Sequence, residues 1–381
     1  MAFEVTPIEN SADLTRQPVS LALLFALAIA FFVFVTALSR IYHSQQHVLA
    51  VSSCDRGVAD LNAGRYSAAV NEFRTALRYS PGNFDYELSL AEALLELKRA
   101  DEAFEYLDSL RERQPDNGQV NLLLGRIAAA SHKTDEALRF YHNAMYATWP
   151  SDQELRRRDT RIELIEYLLN ADSKAQAQSE LISLAASLND QPNQQTRLGQ
   201  LFLQAQDYER ALAAFRLSMK SAHHNHADVA GAGVAAFELG RYPLAKQYLQ
   251  AAVAADVHDE KSSAMLRITE LVLQMDPFQR QISSTQRGKI VIQAFTVAGA
   301  RLTSCSAEHD APAPSSFQAL VDKWTKIKPE ITEHRLQKDP DLVEAAMELV
   351  FNIEHQTSSW CAAPTESDTA LLLIARLHEG S

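Results

Sequence analysis

Cys305, His309, His355 and Cys361 are the side chains in this 381-residue chain whose types most readily suggest chemistry. Two thiolates and two imidazoles are a zinc-ligand set. The cysteines alone offer a second reading, a disulfide across a separation of 56 residues, which in the chain-entropy treatment stabilises a fold by about 4 kcal/mol. Two unpaired thiols are the third. The gaps, three residues from Cys305 to His309 and five from His355 to Cys361, match no common zinc finger. Cys54 stands apart and reads as a small packing residue.

The other candidates are weaker. His223, His224 and His226 form the run HHNH without a thiolate or carboxylate obliged to converge on it. The GAGVAA run from Gly231 imitates a phosphate-binding loop but sits inside a helical pattern rather than after a strand. His309-Asp310 lies near several serines at no triad spacing. The sequence holds no P-loop, HExxH or nucleophile-elbow serine. No enzyme activity, cofactor or metal is therefore expected. The alternative is an enzyme or metal-binding protein with its site in the C-terminal region and the rest of the chain selecting substrate.

With 48 acidic against 36 basic residues the net charge is -12, and no local basic stripe offers a surface for nucleic-acid phosphates. Gly and Pro, 12 and 13 residues, are too few for a collagenous or linker-rich chain.

Residues 19–38, VSLALLFALAIAFFVFVTAL, carry no charge, and only Ser20 and Thr36 are polar. Twenty helical residues at about 1.5 Å each span the roughly 30 Å hydrocarbon core of a bilayer. A single-pass anchor is expected, contacting lipid through residues 19–38. A signal peptide cut after Ala37 and a buried core helix are the rivals; the acidic N-terminal flank, with Glu4, Glu9 and Asp13 against Arg16, speaks against the signal. Residues 1–18 read as a short tail and 39–49 as a juxtamembrane linker. Arg16 and Arg40 flank the segment on either side, so charge alone leaves its orientation tied.

From residue 50 the chain repeats with a period of 34. Six units run 50–83, 84–117, 118–151, 158–191, 192–225 and 226–259, with one short insertion after the third. Every unit has an alanine at one position: Ala69, Ala103, Ala137, Ala177, Ala211 and Ala245. A small residue recurs at another (Gly57, Ala91, Gly125, Gly199, Gly233), replaced by Ile165 in the fourth unit. Four residues after each alanine stands a large one: Phe73, Leu107, Tyr141, Leu181, Phe215, Leu249. Small residues belong where two helix axes come close, so each unit is expected to be a helix pair. Pro81, Pro115 and Pro150 are placed to end second helices. Residues 260–276 read as a further helix capping the stack.

Four stretches, AGRYSAAVNEFRTALRYSP (63–81), LLLGRIAAASHKTDEALRFYHNAM (122–145), LGQLFLQAQDYERALAAFRLSM (198–219) and ELGRYPLAKQYLQAAVAA (238–255), resemble the tetratricopeptide repeat. The resemblance covers residues 50–259. It implies an α-solenoid of six repeats plus capping helix; together with the N-terminal membrane helix and a small C-terminal helical domain (277–381), read from their own patterns, the chain is expected to be all-α. It also implies a groove lined by first helices that binds a protein or peptide, here by Asp85, Leu88, Glu92, Leu95, Arg126, Ile162, Glu166, Asn170, Gln200, Gln204, Phe237 and Glu238. Arg126 is the one cation among these, so an acidic tail is a poorer fit than a neutral or basic peptide. The expected function is a membrane-tethered scaffold in a bacterial-type cell-envelope complex.

Beyond residue 276 four helices are expected: one through Ile290–Leu302, with a strand as rival for the IVI run; one from Ser315 or Ser316 to Pro329; one opening at Asp339-Pro340; and one over about 368–377. Cys305 and Cys361 then fall in loops that follow helices. A bridge between them would mean an oxidising compartment and a body outside the cytoplasm, in a periplasm or its equivalent; without it a cytoplasm-facing body is the alternative.

Overall fold

The computed structural model describes residues 16–149, 151–188, 191–221, 225–308 and 315–378. Among these the chain is all-α, and no β-strand occurs. It divides into two compact units, residues 1–164 and 165–381, with the boundary inside one helix.

The first unit begins with α1 (Arg16–Asn62), 47 residues without a break. Residues 39–49, expected as a linker, are therefore helical, and the apolar segment and the first helix of repeat one are the same rod, about 70 Å long. Its large apolar side chains from Leu21 to Leu38 are exposed. Then come α2 (Tyr66–Tyr79), α3 (Phe84–Glu96), α4 (Ala100–Arg113), α5 (Gly118–Ala130), α6 (Thr134–Tyr146) and α7 (Gln153–Asn170), which crosses the boundary. Here α1 packs on α2, α3 on α4 and α5 on α6, with α2 against α3 and α4 against α5.

The second unit continues with α8 (Lys174–Ser187), α9 (Pro192–Gln204), α10 (Tyr208–Ser221), α11 (His226–Glu238), α12 (Tyr242–Ala255) and α13 (Glu260–Met275). After these follow α14 (Ser284–Glu308), α15 (Ser315–Ile327), a 3-10 turn (Lys328–Glu330), α16 (Glu333–Lys338), α17 (Pro340–Trp360) and α18 (Glu366–His378). The IVI run is helical, and the short α16 is a fifth C-terminal helix that the sequence pattern did not announce. Helix α14 is also long and apolar enough to cross a membrane, but its Val291, Ala294, Phe295 and Ala298 lie in the core, which marks it as a buried helix of the bundle.

The packing rule within the repeats is local. All six repeat alanines are fully buried. A Cβ added to Gly57 would stand 2.7 Å from the Phe73 ring, one on Gly199 2.8 Å from Phe215, and one on Gly233 2.8 Å from Leu249. In each case the large residue lies 16 positions after the glycine, so the second helix sets its knob directly on the bare backbone of the first.

The turns follow a second rule. Gly64, Lys98, His132, Asp172, Gln206 and Gly240 occupy equivalent positions, and all six have positive φ, between 54° and 73°. The amide after each reaches back five residues: Arg65 to the Asp60 carbonyl, Arg99 to Leu94, Lys133 to Ala128, Ser173 to Leu168, Asp207 to Phe202 and Arg241 to Ala236, at 2.8–2.9 Å. This is the Schellman closure, which satisfies the orphan carbonyls of a helix end. Helices α3, α5, α11 and α13 open on a side-chain cap: Asn83 accepts from the Tyr86 amide, Asn117 from Val120, Asn225 from Ala227 and Asp259 from Ser262, whereas α9 opens on Pro192 without one. Helix α6 ends at Tyr146; Pro150, expected to end it, lies outside the described residues.

The cap expected at 260–276 is only one layer of what covers the last repeat. Val272 and Met275 of α13 share a core with Tyr242 of α12, Phe295 and Leu302 of α14, Ile353 of α17 and Leu371 of α18.

The turn geometry makes a test possible. Only Gly tolerates left-handed backbone without cost, and for other residues that cost is about 1–2 kcal/mol. Gln206→Gly is expected to stabilise the protein by about 1 kcal/mol, while Gly240→Ala, whose new Cβ would also meet Leu377 at 2.7 Å, destabilises it. Urea unfolding midpoints of the two variants check both signs.

Candidate functional site

Within the first unit, first helices α3 and α5 form two walls of a groove of about 690 Å³, and Leu61 at the end of α1 and Tyr66 at the start of α2 close one end. Its floor is apolar: Leu61, Leu95, Leu123 and Ile127. Polar groups sit among them by design of the same helices. Gln119 Nε2 donates to Glu92 Oε1 at 2.7 Å. Burial pushes the Glu92 carboxyl above the ordinary glutamate range, opposed by that hydrogen bond and by the charge of Arg126. Glu96 and Lys98 stand exposed at the rim.

Arg126 does not offer its charge freely. Its Nε and Nη2 donate to the two oxygens of Glu163 at 2.7 and 2.8 Å, and the Tyr141 hydroxyl donates to the same carboxylate at 2.9 Å. A bidentate guanidinium–carboxylate pair of this kind is already satisfied. What remains for a ligand is an apolar floor edged by Glu92, Gln119, Glu96 and Lys98.

The second unit has its own, smaller groove of about 320 Å³, lined by Glu166, Asn170, Arg197, Gln200, Leu201 and Gln204. Arg197 Nη2 donates to Glu166 Oε1 at 2.9 Å. Three exposed carboxamides, each with two N–H donors and an acceptor oxygen, give this groove the chemistry to pair with an extended backbone.

Of the twelve residues expected to line a groove, the structure gathers Glu92, Leu95 and Arg126 in one and Glu166, Asn170, Gln200 and Gln204 in the other. Asp85 is exposed at the start of α3, Leu88 and Ile162 are half-buried, and Glu238 is exposed; none lines either groove. Phe237 packs edge-on against Tyr242 at 5.6 Å and belongs to the core. Leu61 and Glu96 were missed, although Leu61 stands 34 residues before Leu95 and Glu96 falls in the same repeat position as Asn170 and Gln204.

The chemically suggestive cysteines lie elsewhere. Cys305 is in the last turns of α14, not in a loop, and forms a disulfide with Cys361 at the end of α17, with Cα atoms 5.5 Å apart. The bridge engages both thiolates that a zinc site there would need; His309 lies outside the described residues. Among the described residues no group of three His, Cys, Asp or Glu side chains is placed to hold a metal ion. His226 Nε2 lies 3.1 Å from Asp259 Oδ2, while His223 and His224 lie outside the described residues. Cys54 is half-buried, and burial with Asp55 and Asp85 pushes its thiol up, away from the thiolate that redox or metal chemistry needs.

One turn before Cys305, buried Arg301 reaches the end of α17 and the start of α18. Its Nη2 donates to the Ala362 carbonyl and, at 3.4 Å, to that of Thr357, and its Nε lies 3.9 Å from Asp368 Oδ2. Asp368 in turn accepts from the Thr365 amide at 2.8 Å, capping α18. Glu354, 1% exposed, completes the cluster; its Oε1 has no hydrogen-bond partner. Burial, then the charge of Asp368, push its carboxyl up to about 8 against the opposing pull of Arg301. The cluster is thus Arg301 and Asp368 as an ion pair with a protonated Glu354 at neutral pH.

Residues 61–127 match the family model of the tetratricopeptide repeat. No curated protein matches the chain by sequence. Solved structures similar to it include PilF of Pseudomonas aeruginosa, 17% identical over 57% of this chain and 97% of that one, with a TM-score of 0.40. PilW, a type IV pilus biogenesis factor, is 18% identical over 57% of this chain and 98% of its own, with a TM-score of 0.41. YrrB, a repeat protein with an unusual peptide-binding site, is 14% identical over 50% and 95%, with a TM-score of 0.40.

The buried cluster sets a pH dependence. The folded protein keeps the Glu354 proton to about pH 8, whereas the unfolded chain releases it near 4.3. Between those values the folded state binds more protons, so stability falls as pH rises, by up to about 1.4 kcal/mol per unit from this group. Glu354→Gln is expected to flatten that slope, read as urea midpoints taken across the window. Reducing the Cys305–Cys361 bridge, which spans 56 residues, is expected to cost about 4 kcal/mol, measured by the same unfolding with and without reductant.

Proposed function

We propose that this tetratricopeptide-repeat protein holds a mostly apolar, neutral or basic protein segment in the groove of its first unit while α1 tethers it to a membrane. As a repeat protein it is a protein-interaction scaffold; its partner and tether are the further step. The observation that carries the reading is the groove itself: an apolar floor edged by Glu92 and Gln119, with the neighbouring cation already neutralised by Glu163. Such a surface favours an apolar segment with an N–H or cationic donor over an acidic tail. The amide-lined groove of the second unit suits main-chain pairing with an extended segment.

The tether rests on the exposed apolar run of α1, whose most apolar window has a mean hydropathy of 2.9 and no buried residue. Unlike α14, it is covered by none of the described residues, and burial in lipid would remove that surface from water. The disulfide favours an oxidising compartment, hence a body outside the cytoplasm, within a cell-envelope assembly. A tether also raises the local concentration of any partner in the same membrane.

A photoreactive amino acid at Leu95 in the groove is expected to trap one protein species in cells, while the same group at Phe104, exposed on α4, does not. Equal or absent adducts at the two positions would remove the groove reading. For the compartment, an impermeant thiol reagent applied to intact cells expressing Cys54→Ala should label Cys305 and Cys361 only after reduction; labelling only of lysed cells would place the body in the cytoplasm.

A further inference from the structure

Helix α17 presents Glu344, Glu348, Phe351, Asn352 and His355 at spacings of three and four, which keep all five within one stripe of the helix. The stripe is one wall of a cleft of about 490 Å³ in the second unit; His378 of α18 and Phe278, which follows α13, belong to the other. That other wall is held by the chain itself. Asp276 Oδ1 accepts from the Phe278 amide at 2.9 Å and lies 3.3 Å from His378 Nε2, and the Phe278 and His378 rings stand 4.7 Å apart. A cleft fixed before anything enters it loses less order on binding.

The α17 wall carries charge that the protein leaves unspent. Glu344 and Glu348 are like charges four residues apart on one helix face, an arrangement that destabilises a helix. Both lie beyond the first turn, which holds Asp341, so the helix dipole does not favour them. Among the described residues neither has a hydrogen-bond or ion-pair partner, and no Lys or Arg lines the cleft. In the two grooves described above the charges are already matched, Arg126 by Glu163 and Arg197 by Glu166.

We propose that this cleft holds an extended, basic segment of a partner protein, with two cationic side chains two residues apart on Glu344 and Glu348 and an apolar one resting on Phe351 and Phe278. The assignment depends neither on the groove of the first unit nor on the membrane tether. A cation between the two carboxylates relieves their repulsion within α17, and the adjacent rings accept the stem of a Lys or the guanidinium of an Arg. The dimensions call for a chain. Glu344 to His355 covers about 16 Å of helix rise, the length of about five extended residues. One helical turn, about 6 Å, separates the carboxylates, close to the roughly 6.6 Å between neighbours on one side of an extended segment. Glu344, Glu348, Asn352 and His355 are all exposed, so a small amine laid among them stays wet, whereas small-molecule sites enclose most of their ligand. The net charge of -12 steers a basic segment towards the protein.

Fluorescence anisotropy on the full-length, disulfide-intact protein in detergent tests this. The probe is the labelled peptide GKSKSLG, which is expected to bind saturably and to weaken as salt rises. Replacing both carboxylates, Glu344→Gln with Glu348→Gln, is expected to weaken it about five-fold or more, while the same loss of charge at Glu105 and Glu112, exposed on α4, leaves it unchanged. Asn352→Lys, whose ammonium can pair with Glu348 one turn away, is expected to abolish binding. Without peptide, the double Gln variant is expected to unfold at the same urea concentration or a higher one; a lower midpoint shows that the carboxylates serve the fold and overturns the assignment. No binding, an equal loss from the α4 pair, or equal binding of GKKSSLG, in which the lysines are adjacent, overturns it too. Spermidine that competes as tightly as the peptide assigns the cleft to a small amine and ends the case for a protein segment.

Discussion

The contact on which most of the repeats depend is that between a small residue on a first helix, glycine in four of the six, and a large side chain 16 residues later on its partner. Gly57 under Phe73 and Gly199 under Phe215 leave no room for a Cβ, and the fully buried alanines four residues before each knob hold the second helix equally close. Close approach fixes which residues must face inward, and the remaining positions of each first helix then have only solvent or a ligand to meet. The groove is a by-product of that constraint. Leu95, Leu123 and Ile127 are left on its floor because the inner faces of α3 and α5 are already taken by the small-residue contacts.

This explains what the sequence made legible. Small residues recurring every 34 positions reveal a spacing between axes, and a spacing between axes is most of the fold of a helix pair. What it hid was conformation imposed from outside the residue. Lys98 and Gln206 have no intrinsic preference for a left-handed backbone, yet they adopt it where Gly64 and Gly240 do, because the helix on either side is fixed and the Schellman turn is the connection that fits. The polar, serine-rich surroundings of Cys305 suggest a loop, but the core contacts of Leu302 and Cys305 itself carry α14 to Glu308. Helix α16 is six residues long, too short for periodicity to show.

For the site, legibility stopped at the helix face. Positions in register with Glu92 and Leu95 could be found by counting in steps of 34, but not whether their charges were spent. Arg126 looked like the one free cation of the wall, and only the folded chain shows Glu163, 37 residues away, holding it. The same holds for Arg301, Glu354 and Asp368, whose meeting beside the disulfide joins three helices that no sequence period relates.

Helix α1 connects these levels. One rod carries the exposed apolar segment at its start, exposed Val48, Leu49 and Val51 in its middle and, at Leu61, a lining residue of the groove. An α-helix of this length bends gently but does not fold back without a breaker, and residues 21–62 contain no proline and only Gly57, which is locked under Phe73. A rotation of the apolar segment about its axis therefore cannot be absorbed in a flexible linker. Along the same rod Gly57 is held under Phe73, and Leu61, one turn further on, lines the groove, so the backbone that carries the apolar segment is the backbone that places one residue of the groove.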